Sequence, residues 1–409
     1  MTECAICYQI AHSMLTDARF KFAFESLRKC MLMEPKNNIF FSPHLIYQNL
    51  LVMYFGASDD TENSLRKVLY IPDDVSKTTV ELHYIEGGVN QFCYIMNGSE
   101  NSYTCRIFSR LFVNERKMIY TETMNLFSSG HHQVKEINFD NRPDHTRDFV
   151  NNTVKCLTQK YIQDVLPPDN INSNTDGILL NIIYCEGQLD PSFDLDTTPD
   201  ISVSKKTRQK DKKDKKDSTK KNFNNGKFEQ LDAYIMEIPF KERKISMFFI
   251  FPSCYSEPVK GNISERDAII QLIDRLMTEE GSRELHKLLD EGIAQQTDML
   301  FPIFNIEQNL EMHRLLEMLG IQEFMPSGTG LLHEFTCHAM RLGDAVHRIK
   351  IKMSKTRITA AATNVFFTSN NSSQRVENPN TVDIHFPCVC LIYDRTHRNI
   401  LFCGVLLES

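Results

Sequence analysis

The sequence predicts an α+β fold, because helical patterns dominate its first third and strand patterns dominate its second half. Apolar residues make up 41% of the 409 residues, which is enough for a globular core and argues against wholesale disorder. No window of 18 apolar residues occurs, so the sequence contains no candidate transmembrane helix. A chain of this length fits one large domain or two.

Apolar residues with a helical period mark several segments. The last of the three early helices follows Asp59 and Asp60, either of which could cap it, with Thr61 and Glu62 in its first turn. The predicted helices cover residues 18–33, 43–55, 61–69, 143–161, 268–277, 282–289 and 309–319.

Strand patterns take two forms. Residues 346–353 alternate apolar and basic side chains, as a half-buried strand does, whereas residues 178–184 form a continuous apolar run that suits a strand buried on both faces. Further strands are predicted at 102–113, 233–239, 245–251 and 299–306, and a closing hairpin at 388–393 and 400–406.

A run of small residues, Thr359-Ala360-Ala361-Ala362-Thr363, follows the alternating strand. Residues 368–381 beyond it are almost wholly polar, so no helix continues from the run. Small side chains of this kind suit a segment that must sometimes insert into a closely packed region of the protein.

Charge is concentrated in one segment. Residues 205–221 carry ten basic and three acidic residues, a local net charge of +7 in a chain whose net charge is −7. We expect 203–224 to be a disordered surface insertion, which is either a solvated loop or a binding patch for a heparin-like polyanion. The polyanion-binding candidates are Lys205, Lys206, Arg208, Lys210, Lys212, Lys213, Lys215, Lys216, Lys220 and Lys221.

The cysteines and the N-terminus bear on location. Twelve cysteines are scattered through mostly apolar surroundings, as reduced thiols of a cytosolic protein would be. The first residues lack the basic start and apolar core of a secretory signal. We therefore expect a cytoplasmic chain, or one that reaches the extracellular space by a non-classical route.

Enzyme motifs are absent from the sequence. It contains no G-x-S-x-G elbow, no phosphate-cradling glycine loop and no dinucleotide fingerprint. His333 and His338 lie near a glutamate but are five residues apart, about 140° around a helix, so they do not share a face for zinc. We expect no catalysis, no cofactor and no metal.

Several separated segments together resemble the serpin family. They include Asn38-Ile39-Phe40-Phe41-Ser42-Pro43, then Leu180-Asn181-Ile182-Ile183-Tyr184-Cys185-Glu186-Gly187, and finally Ile400-Leu401-Phe402-Cys403-Gly404. The resemblance runs from about Ala18 to the C-terminus without the lysine-rich insertion, and it is to the branch without signal peptides.

The resemblance implies a single domain over residues 1–409, with helices packed on a large mixed sheet, further sheets, and an exposed reactive loop with its hinge at 355–381. It implies that a target serine protease cleaves this loop and is held covalently, while the loop's first half enters the main sheet as a new strand. The hinge residues would be Arg357, Ile358, Thr359, Ala360, Ala361, Ala362 and Thr363. The chain is expected to be a monomer.

The hinge departs from the family pattern. Inhibitors usually have two acidic residues, a glycine and a threonine where this chain has Lys355, Thr356, Arg357 and Ile358. If Ala360 and Ala362 face inward after insertion, Ile358 does too, while Arg357 faces outward and escapes burial. Arg357 nevertheless removes a glycine's freedom at the hinge, which would slow insertion. The alternative function is therefore a non-inhibitory serpin that acts as a binding or chaperone-like module.

The scissile bond is expected between Asn371 and Val376. Arg375 is the only basic residue in that stretch, so Arg375-Val376 is the candidate bond for a trypsin-like protease, although Arg375 could also be an ordinary solvated charge.

Overall fold

A computed structural model describes most of the chain. The described residues are 3–34, 37–89, 94–97, 102–129, 133–139, 142–168, 170–190, 227–255, 264–293, 303–321, 334–336, 344–367, 381–383 and 387–407.

The helices are concentrated in the first half of the chain, as the apolar periods predict. They are α1 (Glu3–Met33), α2 (Pro43–Gly56), α3 (Asp59–Val68), α4 (Lys77–Val89), α5 (Thr121–Ser129), α6 (Pro143–Leu157), α7 (Glu265–Met277), α8 (Glu279–Glu291) and α9 (Met312–Met318).

The strands are β1 (Ile39–Phe41), β2 (Tyr94–Asn97), β3 (Tyr103–Asn114), β4 (Gln133–Ile137), β5 (Gly177–Gln188), β6 (Lys227–Phe228), β7 (Ala233–Pro239), β8 (Ile245–Pro252), β9 (Ile303–Leu310), β10 (Asp344–Met353), β11 (Arg357–Phe367), β12 (Thr381–Asp383), β13 (Cys388–Asp394) and β14 (Asn399–Leu406). They form two sheets among the described residues. A six-stranded sheet has the order β1-β14-β13-β8-β7-β6. An eight-stranded sheet has the order β12-β9-β10-β11-β5-β3-β2, with β4 also pairing with β3.

The larger sheet is mixed and is covered on both faces. The pairing of β3 with β4 is parallel, while the other pairings of this sheet are antiparallel. Its inner face shares an apolar core with the smaller sheet, to which Phe249 and Ile351 both belong. On the outer face, Val150 and Val154 of α6 belong to the same apolar cluster as Tyr184 of β5. The predicted α+β class and mixed sheet are confirmed.

Three predicted boundaries were wrong for local reasons. Helix α3 begins at Asp59 after Ser58, so neither Asp59 nor Asp60 is its N-cap. Helix α6 stops at Leu157, because Gln159 and Lys160 adopt positive φ and leave the helical conformation.

The third boundary is the one between β9 and α9. Strand β9 continues to Leu310, where a helix starting at residue 309 was predicted, because Leu310 pairs with His347 of β10. Long-range pairing therefore overrides the local helical period.

Candidate functional site

The small-residue run lies inside the larger sheet. Strand β11 (Arg357–Phe367) runs antiparallel to both neighbours, with Ala360 opposite Ile351 of β10 and Cys185 of β5. The prediction that this segment belongs to an exposed loop is therefore wrong for residues 357–367, which form a central strand in this structure. The backbone of residues 358–367 pairs with both neighbouring strands.

The two faces of β11 meet different surroundings. On the inner face, Ile358, Ala360 and Ala362 are fully buried in the core between the two sheets. On the outer face, Ala361 is fully buried in the cluster that contains Val150 of α6. The alternation predicted for an inserted hinge is confirmed, and Ala361 shows why a small residue is needed beneath the helix.

Arg357 lies at the entrance of the strand and points outward. Its Nη1 is 2.6 Å from Oε1 of Glu186 on β5, and its side chain remains 46% exposed. Its φ is not among the positive values found at non-glycine residues of the described chain. The inserted strand therefore places no demand for glycine at this position, and the arginine is not a buried unpaired charge.

A tight turn connects β10 to β11. The backbone N–H and the hydroxyl of Ser354 both donate to the carbonyl of Arg357, each at 2.9 Å, and the N–H of Arg357 donates to Oγ of Ser354 at 3.2 Å. The N–H of Leu189 donates to the carbonyl of Thr356 at 3.0 Å, which ties the turn to the chain after β5. The hairpin is thus held in register at the end where insertion would begin.

A row of buried polar residues crosses the sheet below the alanines. Asn364 of β11 is opposite His347 of β10 and Asn181 of β5, and all three are fully buried. The amide of Asn181 donates to Oδ1 of Asn49 in α2 at 2.5 Å, and the N–H of Ser42, the N-cap of α2, donates to Nε2 of His347 at 3.0 Å. Burial lowers the pKa of His347 to about 3, so its ring is neutral at physiological pH.

The sequence analysis missed this row, although a signal was present. Asn181 interrupts an otherwise continuous apolar run, and His347 shares the phase of the inward residues Ile349 and Ile351. A polar residue in the buried phase of a strand indicates a specific partner.

The chain is uncut, and yet β11 occupies the sheet. Strand β12 begins at Thr381, opposite Asn305 of β9, at the end of the sheet where Met353 pairs with Ile358. The thirteen residues that join Phe367 to Thr381 could span about 45 Å when extended. Strand β11 is about 35 Å long, so the connection is long enough to return without a cut.

Two groups of predicted site residues lie outside the described residues. They are the candidate scissile residues Arg375 and Val376, and the ten basic residues at 205–221. The chain leaves the described part after Asp190 and re-enters it at Lys227 of β6, an end strand of the smaller sheet.

The described residues offer little for other chemistry. They contain no group of three or more His, Cys, Asp or Glu side chains that could hold a metal ion. No helix in the described ranges has the length and apolarity needed to cross a membrane. Cys105, Cys185, Cys388 and Cys390 are buried free thiols. A hydrogen bond with Cys185, together with burial, raises the pKa of Cys105, and burial raises the pKa of Cys390.

Comparisons with known proteins agree with this geometry. The family model described as Serpin (serine protease inhibitor) matches residues 17–409. Serine protease inhibitor 88Ea of Drosophila melanogaster is 28% identical, over 94% of this chain and 88% of that protein.

Two solved structures share the fold. The structure titled Cleaved Serpin 42Da has a TM-score of 0.71 at 17% identity and covers 98% of this chain and 100% of its own. The thermophilic serpin tengpin in the latent state has a TM-score of 0.63 at 15% identity and covers 95% of this chain and 98% of its own. At these identities the likeness concerns the fold alone.

Proposed function

The chain belongs to the serpin family, and we propose that it inhibits a serine protease by suicide-substrate trapping. The observation that carries the proposal is β11, in which the small-residue hinge is accommodated as a complete central strand. A chain whose hinge could not enter the sheet would be cleaved and released as a substrate.

In trapping, the protease carries out the bond cleavage, and the inhibitor contributes the rapid insertion of its loop. The protease serine attacks the carbonyl carbon before the scissile bond, the amide bond breaks, the new amine leaves, and an ester joins the two proteins. Insertion of the loop's first half must then carry the ester away before water hydrolyses it. On the order of ten additional backbone hydrogen bonds, at about 1 kcal/mol net each, would make insertion favourable by about 10 kcal/mol.

The position of the cut sets the length of the tether. The described part of β11 ends at Phe367, which pairs with Asp344 and Ile178. A cut after Asn371 leaves four residues after Phe367, about 14 Å when extended, whereas a cut after Arg375 leaves eight, about 28 Å. The longer tether pulls the protease less tightly, so the bond that is cut decides between trapping and turnover.

We propose Arg375-Val376 as the bond, because Arg375 is the one basic residue between Asn371 and Val376. The test is incubation with trypsin, chymotrypsin and elastase, read as detergent-stable complexes on a denaturing gel and by the mass of the released C-terminal fragment. Trypsin should give a complex and a fragment that begins at Val376. Arg375→Gln should abolish this complex, whereas the neighbouring control Gln374→Ala should not.

The alternative is a non-inhibitory serpin that acts as a binding or chaperone-like module, which the atypical residues Lys355, Arg357 and Ile358 favour. This alternative predicts that cleavage of the loop leaves the melting temperature of the chain nearly unchanged, so a large rise after cleavage would refute it. Cleavage of the loop by trypsin, chymotrypsin and elastase without any complex would refute the inhibitory proposal.

We further propose that the lysine-rich segment 203–224 binds a sulfated polyanion. Two exposed basic residues lie near the point where the chain leaves the described part. Arg243 pairs with Asp190 at 3.2 Å and its side chain is 64% exposed, and Lys244 lies 4.0 Å from Glu242 and its side chain is 56% exposed. Deletion of 203–224 should abolish retention on a heparin column, while the Arg243→Ala control should weaken it only slightly. Equal retention of the deleted chain would contradict this proposal.

A further inference from the structure

Two buried thiols face each other across strands β3 and β5. Cys105 of β3 is directly opposite Cys185 of β5 in the antiparallel register, and both side chains are at most 1% exposed. Both belong to the apolar core between the two sheets, so they project from the same face of the larger sheet. Two thiols that are far apart in the chain therefore meet in a place that water does not reach.

The spacing of these two residues suits a disulfide. Directly opposite residues of an antiparallel pair have Cα atoms about 4.5 or 5.5 Å apart, depending on the hydrogen-bonding pattern, and disulfides span Cα separations of about 4.4–6.8 Å. The Cβ atoms of opposite residues are about 4.5–5.5 Å apart, against about 3.5–4.5 Å in a disulfide. An approach of the two strands by about 1 Å is therefore enough to close the bond.

Another pair of buried thiols fits a disulfide less well. The Sγ atoms of Cys388 and Cys390 are 3.7 Å apart, but these residues are neighbours on one face of the single strand β13. Two steps along a strand separate Cα atoms by about 6.6 Å, which is at the upper end of the range for disulfides. The cross-strand pair is the better candidate for oxidation.

We propose that Cys105 and Cys185 form a cross-strand disulfide when the chain folds in an oxidising environment, and that they stay reduced when it folds in a reducing one. The two thiols lose two protons and two electrons, and a low-molecular-weight disulfide such as glutathione disulfide accepts them and becomes two thiols. One cysteine thiolate attacks the oxidant and releases the first of these thiols, and the other cysteine then displaces the second.

The bond has to form while the chain is folding. A hydrogen bond with Cys185, together with burial, raises the pKa of Cys105 in the folded chain, so the reactive thiolate is scarce there. An oxidant dissolved in water does not reach side chains that are this deeply buried. The redox state of the compartment in which the chain folds therefore decides whether the bond is present.

The bond would join two strands that lie on the same side of β11. Strand β11 pairs with the other edge of β5, so insertion of the loop neither makes nor breaks the contact between β3 and β5. Residues 106–184, which include α6, lie within the loop that the bond closes. Because a disulfide across a long loop restricts the unfolded chain, the oxidised protein should be the more stable one, with the reactive loop intact or cleaved.

The test is refolding of the full chain from urea, with a mixture of reduced and oxidised glutathione and, in parallel, with dithiothreitol. Remaining thiols are alkylated, and linked peptides are identified by mass spectrometry. The glutathione sample should contain peptides joined through Cys105 and Cys185, and its melting temperature should exceed that of the dithiothreitol sample by several degrees. This comparison of two forms of the parent chain needs no variant.

Two variants assign the effect to this pair. Cys105→Ala should give no linked peptides and equal melting temperatures in the two refolding conditions, and Cys185→Ala gives the same measurement if the first variant does not fold. The matched control Cys388→Ala, which also removes a fully buried thiol, should keep both the link and the difference.

Three results would overturn the proposal. They are a glutathione-refolded parent without the Cys105–Cys185 link, a parent whose cysteines link mainly in another pair, and a linked form that melts no higher than the reduced one. Because no protease is used, none of these results bears on protease trapping, and a failure of trapping leaves this test intact.

Discussion

Strand β11 and the hairpin β13–β14 are both central and buried, but they are built from different side chains. The hairpin is filled with large apolar residues, such as Leu391 and Phe402, that are at most 1% exposed. The first half of β11 instead offers alanine and threonine to equally crowded surroundings. Both regions satisfy the backbone through the same kind of antiparallel pairing.

The difference shows what each region is free to do. Exposing the hairpin to water would cost about 2 kcal/mol for each large side chain, so it has one stable location. Alanine buries little area, so residues 359–363 are tolerable both in water and in the sheet. A segment that has to be stable both in an exposed loop and in the sheet therefore gains less packing energy in the sheet than a strand of large apolar residues does.

Substitution by a charge inside β11 should have the largest effect and should act only after insertion. Ala362→Glu places a carboxylate in the core between the sheets, at a cost on the order of 5 kcal/mol. The melting temperature of the cleaved form should fall steeply, while that of the uninserted form should not change. Thr359→Glu is the matched control, because Thr359 faces outward and is only partly buried. Equal losses in the two variants would mean that the strand does not enter the sheet in this register.

Truncation in the hairpin should lower stability in both forms. Phe402→Ala removes a fully buried ring and should cost about 3–5 kcal/mol of unfolding free energy whether or not the loop has been cleaved. Denaturant unfolding of the variant, with the loop intact and with the loop cleaved, measures this free energy. If the free energy falls in only one of these two forms, the hairpin does not differ from β11 in the way described above.

The buried histidine should make stability depend on pH. The pKa of His347 is lowered to about 3 in the fold, against about 6.5 when unfolded, so the unfolded chain binds the extra proton between these values. Stability contributed by the neutral ring is present above pH 6.5 and is lost as the pH falls, at about 1.4 kcal/mol per pH unit. Urea unfolding of the parent and of His347→Gln at pH 6.5 and pH 5 should show a steeper decline for the parent. If the stability of the parent and that of the variant fell equally between these two pH values, the buried neutral state of His347 would be contradicted.

The ion pair at the mouth of β11 should have the smallest effect. Arg357→Gln removes a pair with Glu186 in which the arginine is nearly half exposed, so the cleaved form should lose less than about 1 kcal/mol. The loss should shrink further in high salt. A loss of several kcal/mol, measured by denaturant unfolding, would show that the pair does far more than its exposure allows.

Much of the fold could be predicted from local sequence. The apolar run at 178–184 and the alternation at 346–353 gave β5 and β10, because burial on one or both faces imposes a period that the chain shows directly. The alternation of Ile358, Ala360 and Ala362 followed from the same rule.

The rest of the site depends on pairing between distant residues. Whether residues 357–367 lie in a loop or a strand could not be decided locally, because alanine and threonine tolerate both. Asn181, His347 and Asn364 lie opposite one another only because of the register of three strands. The sequence shows that Asn181 and His347 fall in the buried phase of their strands, but it does not show that they lie opposite each other across β11.

Hydrogen exchange over residues 357–367 of the cleaved chain tests the central claim most directly. If cleavage leaves β11 paired between β10 and β5, its amides should be protected for as long as those of Gly177–Gln188. Exchange of the β11 amides within seconds, while those of β5 stay protected, would show that the loop remains outside the sheet and would contradict this account.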